Sequence, residues 1–294
     1  MPRQINLLIP LACALIYVVG ALAIKRAAAL GVGVWRTSFL SNWAVALLFA
    51  PAWLWADGPA RPLLDYAQPA VAGVLFLGGQ VLTFLALSRG DVSVVAPVMG
   101  TKVLLVALVS SLLRVGTVPL PWWIAAALST AGIGLLHLGE VHGPRGVGRT
   151  AGLAAASAAS FSVGDVLMQK WLPAWGAGNF LPPMFLLVGV FSFTFVPFFS
   201  APLRALGRPA WRWVGPGALL LAVNNGGVAY AIGRVGSATA VNIVYSLRGL
   251  FSVAVVWAVG HWFASDEHHL TRPVVRCRLA GAALMAAAVG LVLL

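Results

Sequence analysis

Apolar residues gather in ten runs, near 6–24, 34–55, 67–87, 93–113, 121–139, 151–171, 180–199, 213–232, 238–260 and 275–294. Each is close to the roughly 20 residues that a helix needs to cross the hydrocarbon of a bilayer. The segments between them are short and rich in turn formers, such as Ser88-Arg89-Gly90-Asp91 and the stretch from Gly139 to Gly148 around Pro144. No stretch has the pattern of a soluble domain. Lipid offers the backbone no hydrogen-bond partners, so spans that face it are helical. The pattern predicts an all-α integral membrane protein of ten transmembrane helices.

Polar interruptions of these runs are few. The fourth run, SVVAPVMGTKVLLVALVSSLL from Ser93 to Leu113, carries Lys102 near its middle. The ninth, ATAVNIVYSLRGLFSVAVVWAV from Ala238 to Val259, carries Arg248 at nearly the same depth. Asp165 is the one acid well inside a run. A charge at such depth costs at least about 2.5 kcal/mol and marks a pathway or a binding site. Amides also interrupt the runs: Asn42, Gln80, Asn224, Asn225 and Asn242.

The two halves resemble each other. Ala86-Leu87-Ser88-Arg89 before the fourth run matches Ala231-Ile232-Gly233-Arg234 before the ninth, and Gly20 and Lys25 echo Gly164 and Lys170. Gln80 and Asn225 are 145 positions apart, and Lys102 and Arg248 are 146 apart. The repeating unit is five helices, 1–145 and then 146–294. An odd number of spans inserts the second copy upside down, the inverted-repeat plan of secondary transporters. Thr130 with Gly134, and Ala286 with Gly290, put small residues four apart on the fifth and tenth runs. Such faces let helices approach closely, within one chain or across a homodimer.

Composition agrees with a membrane protein. The 294 residues are 61% hydrophobic and 9% charged, against about 25% charged in soluble domains, and the mean hydropathy is +0.94. The net charge of +12 would suggest nucleic acid on a soluble protein. Here the basic residues flank apolar runs and form no dense patch, so no nucleic-acid partner is expected. Tryptophans sit at run ends, as Trp53 and Trp55, Trp122 and Trp123, and Trp211 and Trp213 do, where an aromatic belt meets the headgroups. The N-terminal run imitates a signal peptide through Ala21-Leu22-Ala23, but the repeat needs it as a first helix, so it is expected to stay. Of the basic residues outside Lys102 and Arg248, five fall on the side of the termini and twelve on the other. The positive-inside rule then places the termini outside.

Two cysteines without a CxxC, Cys13 and Cys277, suggest neither a disulfide framework nor a structural zinc. The segment His261 to His269, with Asp266, Glu267 and His268, concentrates ligand types at a spacing that matches no helix-borne metal motif, so a polar loop is expected. No GxxxxGK[ST] is present. No cofactor and no metal are expected.

Ten spans in a five-plus-five repeat, with Arg36 opening the second, resemble the drug/metabolite transporter superfamily, EamA type. The resemblance covers essentially the whole chain. Lys102 and Arg248 stand where the family's repeat pattern has proline, while Val115-Gly116 and Gly260-His261 stand where it has Gly-Glu. The resemblance implies a central cavity lined by spans three, four, eight and nine with partners one, two, six and seven. It further implies export of small metabolites, amino acids or drugs, with the termini inside, opposite to the charge count.

The residues expected at a substrate site are therefore Lys102, Arg248, Gln80, Asn225, Tyr245 and Thr101, with Asp165 for ion coupling or as a counter-ion. Tyr17, Tyr230 and Ser246 are further candidates to line it. Cations at the midplane suit a carboxylate or phosphate, and arginine grips two oxygens at once. Both cations also have a structural reading, as caps of broken helices or as partners of a buried acid. Asp165 has the same pair of readings. Two positives and one negative leave a net positive centre, which favours an anionic or zwitterionic metabolite such as an amino acid. Organophosphate or nucleotide-sugar exchange is the alternative within transport. An integral-membrane enzyme would need a constellation of acids or a nucleophile with its base, and none is visible. A multi-pass protein of a bacterial inner membrane is expected.

Overall fold

The computed structural model describes residues 2–56, 61–89, 92–136, 147–259 and 272–293. The loop from His261 to His269 lies outside them. The main helices are α1 Leu8–Ala29, α2 Val34–Phe49, α3 Ala67–Arg89, α4 Val92–Gly100, α5 Lys102–Leu112, α6 Leu120–Leu136, α7 Val147–Trp175, α8 Ala177–Phe191, α9 Arg208–Val235, α10 Ala238–Ser246, α11 Arg248–Val259 and α12 Arg272–Leu293. No strand occurs among the described residues.

These elements are the ten expected spans, two of them interrupted. Nine stretches among the described residues are long and apolar enough to cross a bilayer, and Leu120–Leu136 is a shorter apolar helix of 17 residues. α4 with α5 forms the fourth span, and α10 with α11 forms the ninth. The second and seventh spans finish in 3-10 turns, Ala50–Trp55 and Ser192–Phe198. Pro51 and Pro197 lie in those turns and lack the N–H that would continue an α-helix.

The closest helix pairs are α1 with α9, α3 with α7, and α6 with α12. Water is absent from the bilayer core, so close backbone approach and hydrogen bonds hold such pairs together. Between α3 and α7, the hydroxyls of Thr83 and Ser157 both donate to the Gly79 carbonyl, at 2.9 and 2.7 Å, and Ser160 donates to the Leu75 carbonyl at 2.8 Å. Between α6 and α12, a Cβ on Gly132 would come within 2.8 Å of the Gly281 carbonyl oxygen. Closest approach thus runs through Gly132 and Gly281, while Gly134 and Gly290 face open space. Thr130 instead turns its hydroxyl to the Gly100 carbonyl at 3.3 Å.

Gly79 is a close contact between α3 and α7. A Cβ there would stand 2.8 Å from the ring of Phe161, which Phe76 backs at 5.8 Å between ring centres. Overpacking of this kind costs about 1–3 kcal/mol. Gly79→Ala is therefore expected to lower the melting temperature of the detergent-solubilised protein by several degrees. Gly134→Ala, which meets nothing within 4 Å, serves as the unaffected comparison.

Candidate functional site

Both interrupted spans break immediately before their cation. In the fourth span Pro97 removes one backbone donor. The Thr101 N–H then reaches back three residues to the Val98 carbonyl at 3.1 Å, and its hydroxyl donates to the same oxygen at 2.7 Å. Lys102 opens the next helix. In the ninth span the Leu247 N–H reaches the Val244 carbonyl at 3.2 Å, the Ser246 hydroxyl reaches Ile243 at 2.7 Å, and Arg248 opens the next helix. Thr101 and Leu247 keep helical backbone angles, so each span runs on through a tight turn rather than unwinding.

The two cations have different surroundings. Lys102 Nζ lies 2.8 Å from Asp165 Oδ2 on α7, with 15% and 8% of the two side chains exposed. The ring of Phe161 lies 5.4 Å from the same ammonium. Asn242 on α10 donates to the same carboxylate oxygen at 2.8 Å and to its own helix at the Ala238 carbonyl, 2.9 Å away. One carboxylate therefore joins α5, α7 and α10. Desolvating two charges costs several kcal/mol, and only tight geometry with further hydrogen bonds repays it. The amide of Asn242 supplies such a bond.

Arg248 pairs with no carboxylate. Among the described residues the ion pairs are Arg61–Asp65 and Lys102–Asp165. Its guanidinium carbon lies 4.9 Å from the ring centre of Tyr17 and 4.6 Å from that of Tyr245, and one N–H donates to the Tyr245 hydroxyl at 3.0 Å. The two rings meet edge to face at 6.3 Å. Aromatic faces stabilise a desolvated cation and leave its remaining donors in place. Asn224 on α9 completes the group. With its amide turned to satisfy both polar atoms, its nitrogen lies 3.0 Å from the Cys13 carbonyl and 3.0 Å from the Tyr245 hydroxyl. Asp165 stands within electrostatic reach of Arg248.

The other expected site residues are committed elsewhere. Gln80 and Asn42 exchange amide hydrogen bonds at 3.1 Å each way, tying α3 to α2. Asn225, by contrast, adjoins the Arg248 group, its backbone N–H donating to the turned Asn224 amide oxygen at 3.3 Å. Thr101 spends its hydroxyl on its own helix. Tyr230 is exposed on the outside of α9, where Arg234 lies over its ring at 6.0 Å. Arg36 is buried and donates to the Gly31 carbonyl and to Ser200 Oγ, the latter at 2.8 Å.

Gln169, on α7 one turn beyond Asp165, was not singled out by sequence pattern. It is buried, donates to the Val115 carbonyl at 3.1 Å, and accepts from the Ala238 N–H at 2.8 Å. It thereby ties the segment after the fourth span to the start of the ninth. Its i, i+4 relation to Asp165 on one helix face is the signal that would have found it.

Two broken spans meeting at a buried ion pair and an aromatic-flanked arginine, inside a bundle of apolar helices, define a multi-pass α-helical membrane protein with a polar centre. Residues 4–138, just under half of the chain, match the EamA-like transporter family. No curated protein matches the chain in sequence. The chain is also similar to a protein of known crystal structure, at 18% identity and a TM-score of 0.77 over 98% of each chain. At that identity the likeness concerns the fold.

Proposed function

We propose that the chain is a secondary or facilitative transporter that exports a small zwitterionic or anionic metabolite, such as an amino acid, through a site at Arg248. The arginine held between Tyr17 and Tyr245 with no acid partner is the observation that carries this reading. Lys102 is already neutralised by Asp165, so the centre offers one uncommitted positive charge rather than two. One guanidinium suits a carboxylate, whereas a phosphate dianion favours a pair of cations. Asn242 and Tyr245 are three residues apart on α10 and share a face. Through that face Asp165 stands within electrostatic reach of Arg248 while its carboxylate stays with Lys102 and Asn242.

The helix pairing favours alternating access between inverted repeats 1–145 and 146–294. If spans one and six are equivalent, and likewise three and eight, then the pairs α1–α9 and α3–α7 exchange with each other, while α6–α12 maps onto itself. Spans two and seven both end in 3-10 turns. Rocking of the two units would expose a central site to one side at a time. Asp165 is the candidate coupling group, since its protonation would release Lys102. A bacterial inner membrane is the setting this reading implies, with no enzymatic step.

Thermal stability of the purified protein tests the substrate class. A free amino acid at a hundred times its dissociation constant should stabilise by about 2.7 kcal/mol, read as a rise in melting temperature. The corresponding amino acid amide, lacking the carboxylate, should give no rise. Stabilisation by sugar phosphates instead would replace the carboxylate reading with organophosphate exchange.

A further inference from the structure

Away from the polar centre, a cleft of about 380 Å³ opens where the eighth span begins, lined by Arg208, Pro209, Arg212 and Trp213. Its volume falls within the roughly 300–1,000 Å³ of ordinary ligand pockets. Arg208 and Arg212 are exposed on adjacent turns of α9, four residues apart, so their guanidinium groups share a face. Like charges at that spacing repel, and an anion between them removes the repulsion. Neither the segment 200–212 nor the segment 25–36 contains an acid. The two segments are joined: Ala27 and Val32 pack with Ala210 and Val214, and Arg36 donates to Ser200. The backbone adds little to the site. The N–H groups of Ala210 and Trp211 are given to the Gly207 carbonyl at 3.0 and 3.1 Å, and Pro209 has none. Recognition of an anion here rests on the side chains.

The surface below the cleft identifies the occupant. Pro216 and Leu219 continue the Arg208–Arg212 stripe along α9, both exposed, with Leu219 at 50%. A Cβ on Gly215, between them and the arginines, would meet nothing within 4 Å. A charged head therefore passes into an open apolar track on one helix face. Trp211, 41% exposed, stands beside the arginines at the position where aromatic residues mark the headgroup level.

We propose that this cleft binds the headgroup of an anionic phospholipid. Arg208 and Arg212 hold the phosphate oxygens, and one acyl chain follows Pro216 and Leu219. Arginine matches phosphate with paired donors, and basic pockets at the charge-rich ends of membrane helices select such heads. The site is separate from the Arg248 site and does not depend on which substrate that site takes.

The test is native mass spectrometry of the full chain released from bilayers of phosphatidylcholine mixed with phosphatidylglycerol. The wild type is expected to retain phosphatidylglycerol, and R208Q/R212Q to retain it about tenfold less or worse. R234Q, at the exposed far end of the same helix, should behave as the wild type. Undiminished retention by R208Q/R212Q would overturn the proposal, and so would an equal loss in R234Q. A second arm adds glycerol 3-phosphate or inorganic phosphate to protein in pure phosphatidylcholine bilayers. No thermal shift is expected. A shift that R208Q/R212Q abolishes would make the cleft a site for soluble phosphate esters and overturn the lipid assignment.

Discussion

Arg248→Gln is expected to abolish transport while leaving expression and monodispersity intact. The variant keeps a polar side chain but removes the cation held against the Tyr17 and Tyr245 rings. Truncating a desolvated charge that grips a ligand costs about 2–5 kcal/mol, which is roughly thirty-fold to several thousand-fold in affinity. Uptake into proteoliposomes reads the loss. Circular dichroism and size-exclusion profiles separate it from misfolding. Arg248→Lys adds discrimination: an ammonium keeps the charge but loses the fork that holds two carboxylate oxygens, so partial activity with a raised KM is expected. Full uptake by Arg248→Gln would remove Arg248 from the substrate site.

The second large effect concerns the buried pair. Asp165→Asn leaves the Lys102 ammonium without its counter-charge in a place where 15% of its side chain meets solvent. Breaking such a pair from one side costs about 3–5 kcal/mol, whereas replacing both members by apolar residues is often neutral. The expected order of melting temperature is therefore wild type close to Lys102→Met/Asp165→Leu, and both well above Asp165→Asn. Coupling gives an independent reading. If protonation of Asp165 drives the cycle, the double variant recovers stability but transport no longer follows an imposed pH gradient. An unchanged pH dependence in that variant would reduce the pair to a structural tie among α5, α7 and α10.

Much of the architecture was legible because a bilayer constrains a chain so strongly. Apolar runs of the required length became helices, and even the 17-residue Leu120–Leu136 was visible as a run. The depth of Lys102, Arg248 and Asp165 was equally readable. Which acid would meet which cation was not, since that depends on the rotation of each helix about its axis. The repeat related Gln80 to Asn225, but Gln80 pairs with Asn42 on the neighbouring helix, 38 positions away. Symmetry relates positions; packing decides partners. The symmetry that suggested equal roles for Lys102 and Arg248 was also incomplete, because one acid serves the pair. Asp165 sides with Lys102, and the asymmetry leaves Arg248 to the two tyrosines. The breaks after Thr101 and Leu247 had only weak signals, Pro97 and Gly100 in one span and Gly249 in the other.

Gln169 holds one carbonyl from the first half of the chain and one amide N–H from the second on a single side-chain group. Gln169 and Ala238 both belong to the second half, so the bond to the Val115 carbonyl is the one of the two that crosses between halves. At about 1 kcal/mol for a hydrogen bond, that bond weights the joined form over the parted one by roughly fivefold. One neutral side chain, a helical turn from Asp165, thus biases how readily the two halves part at this end of the bundle.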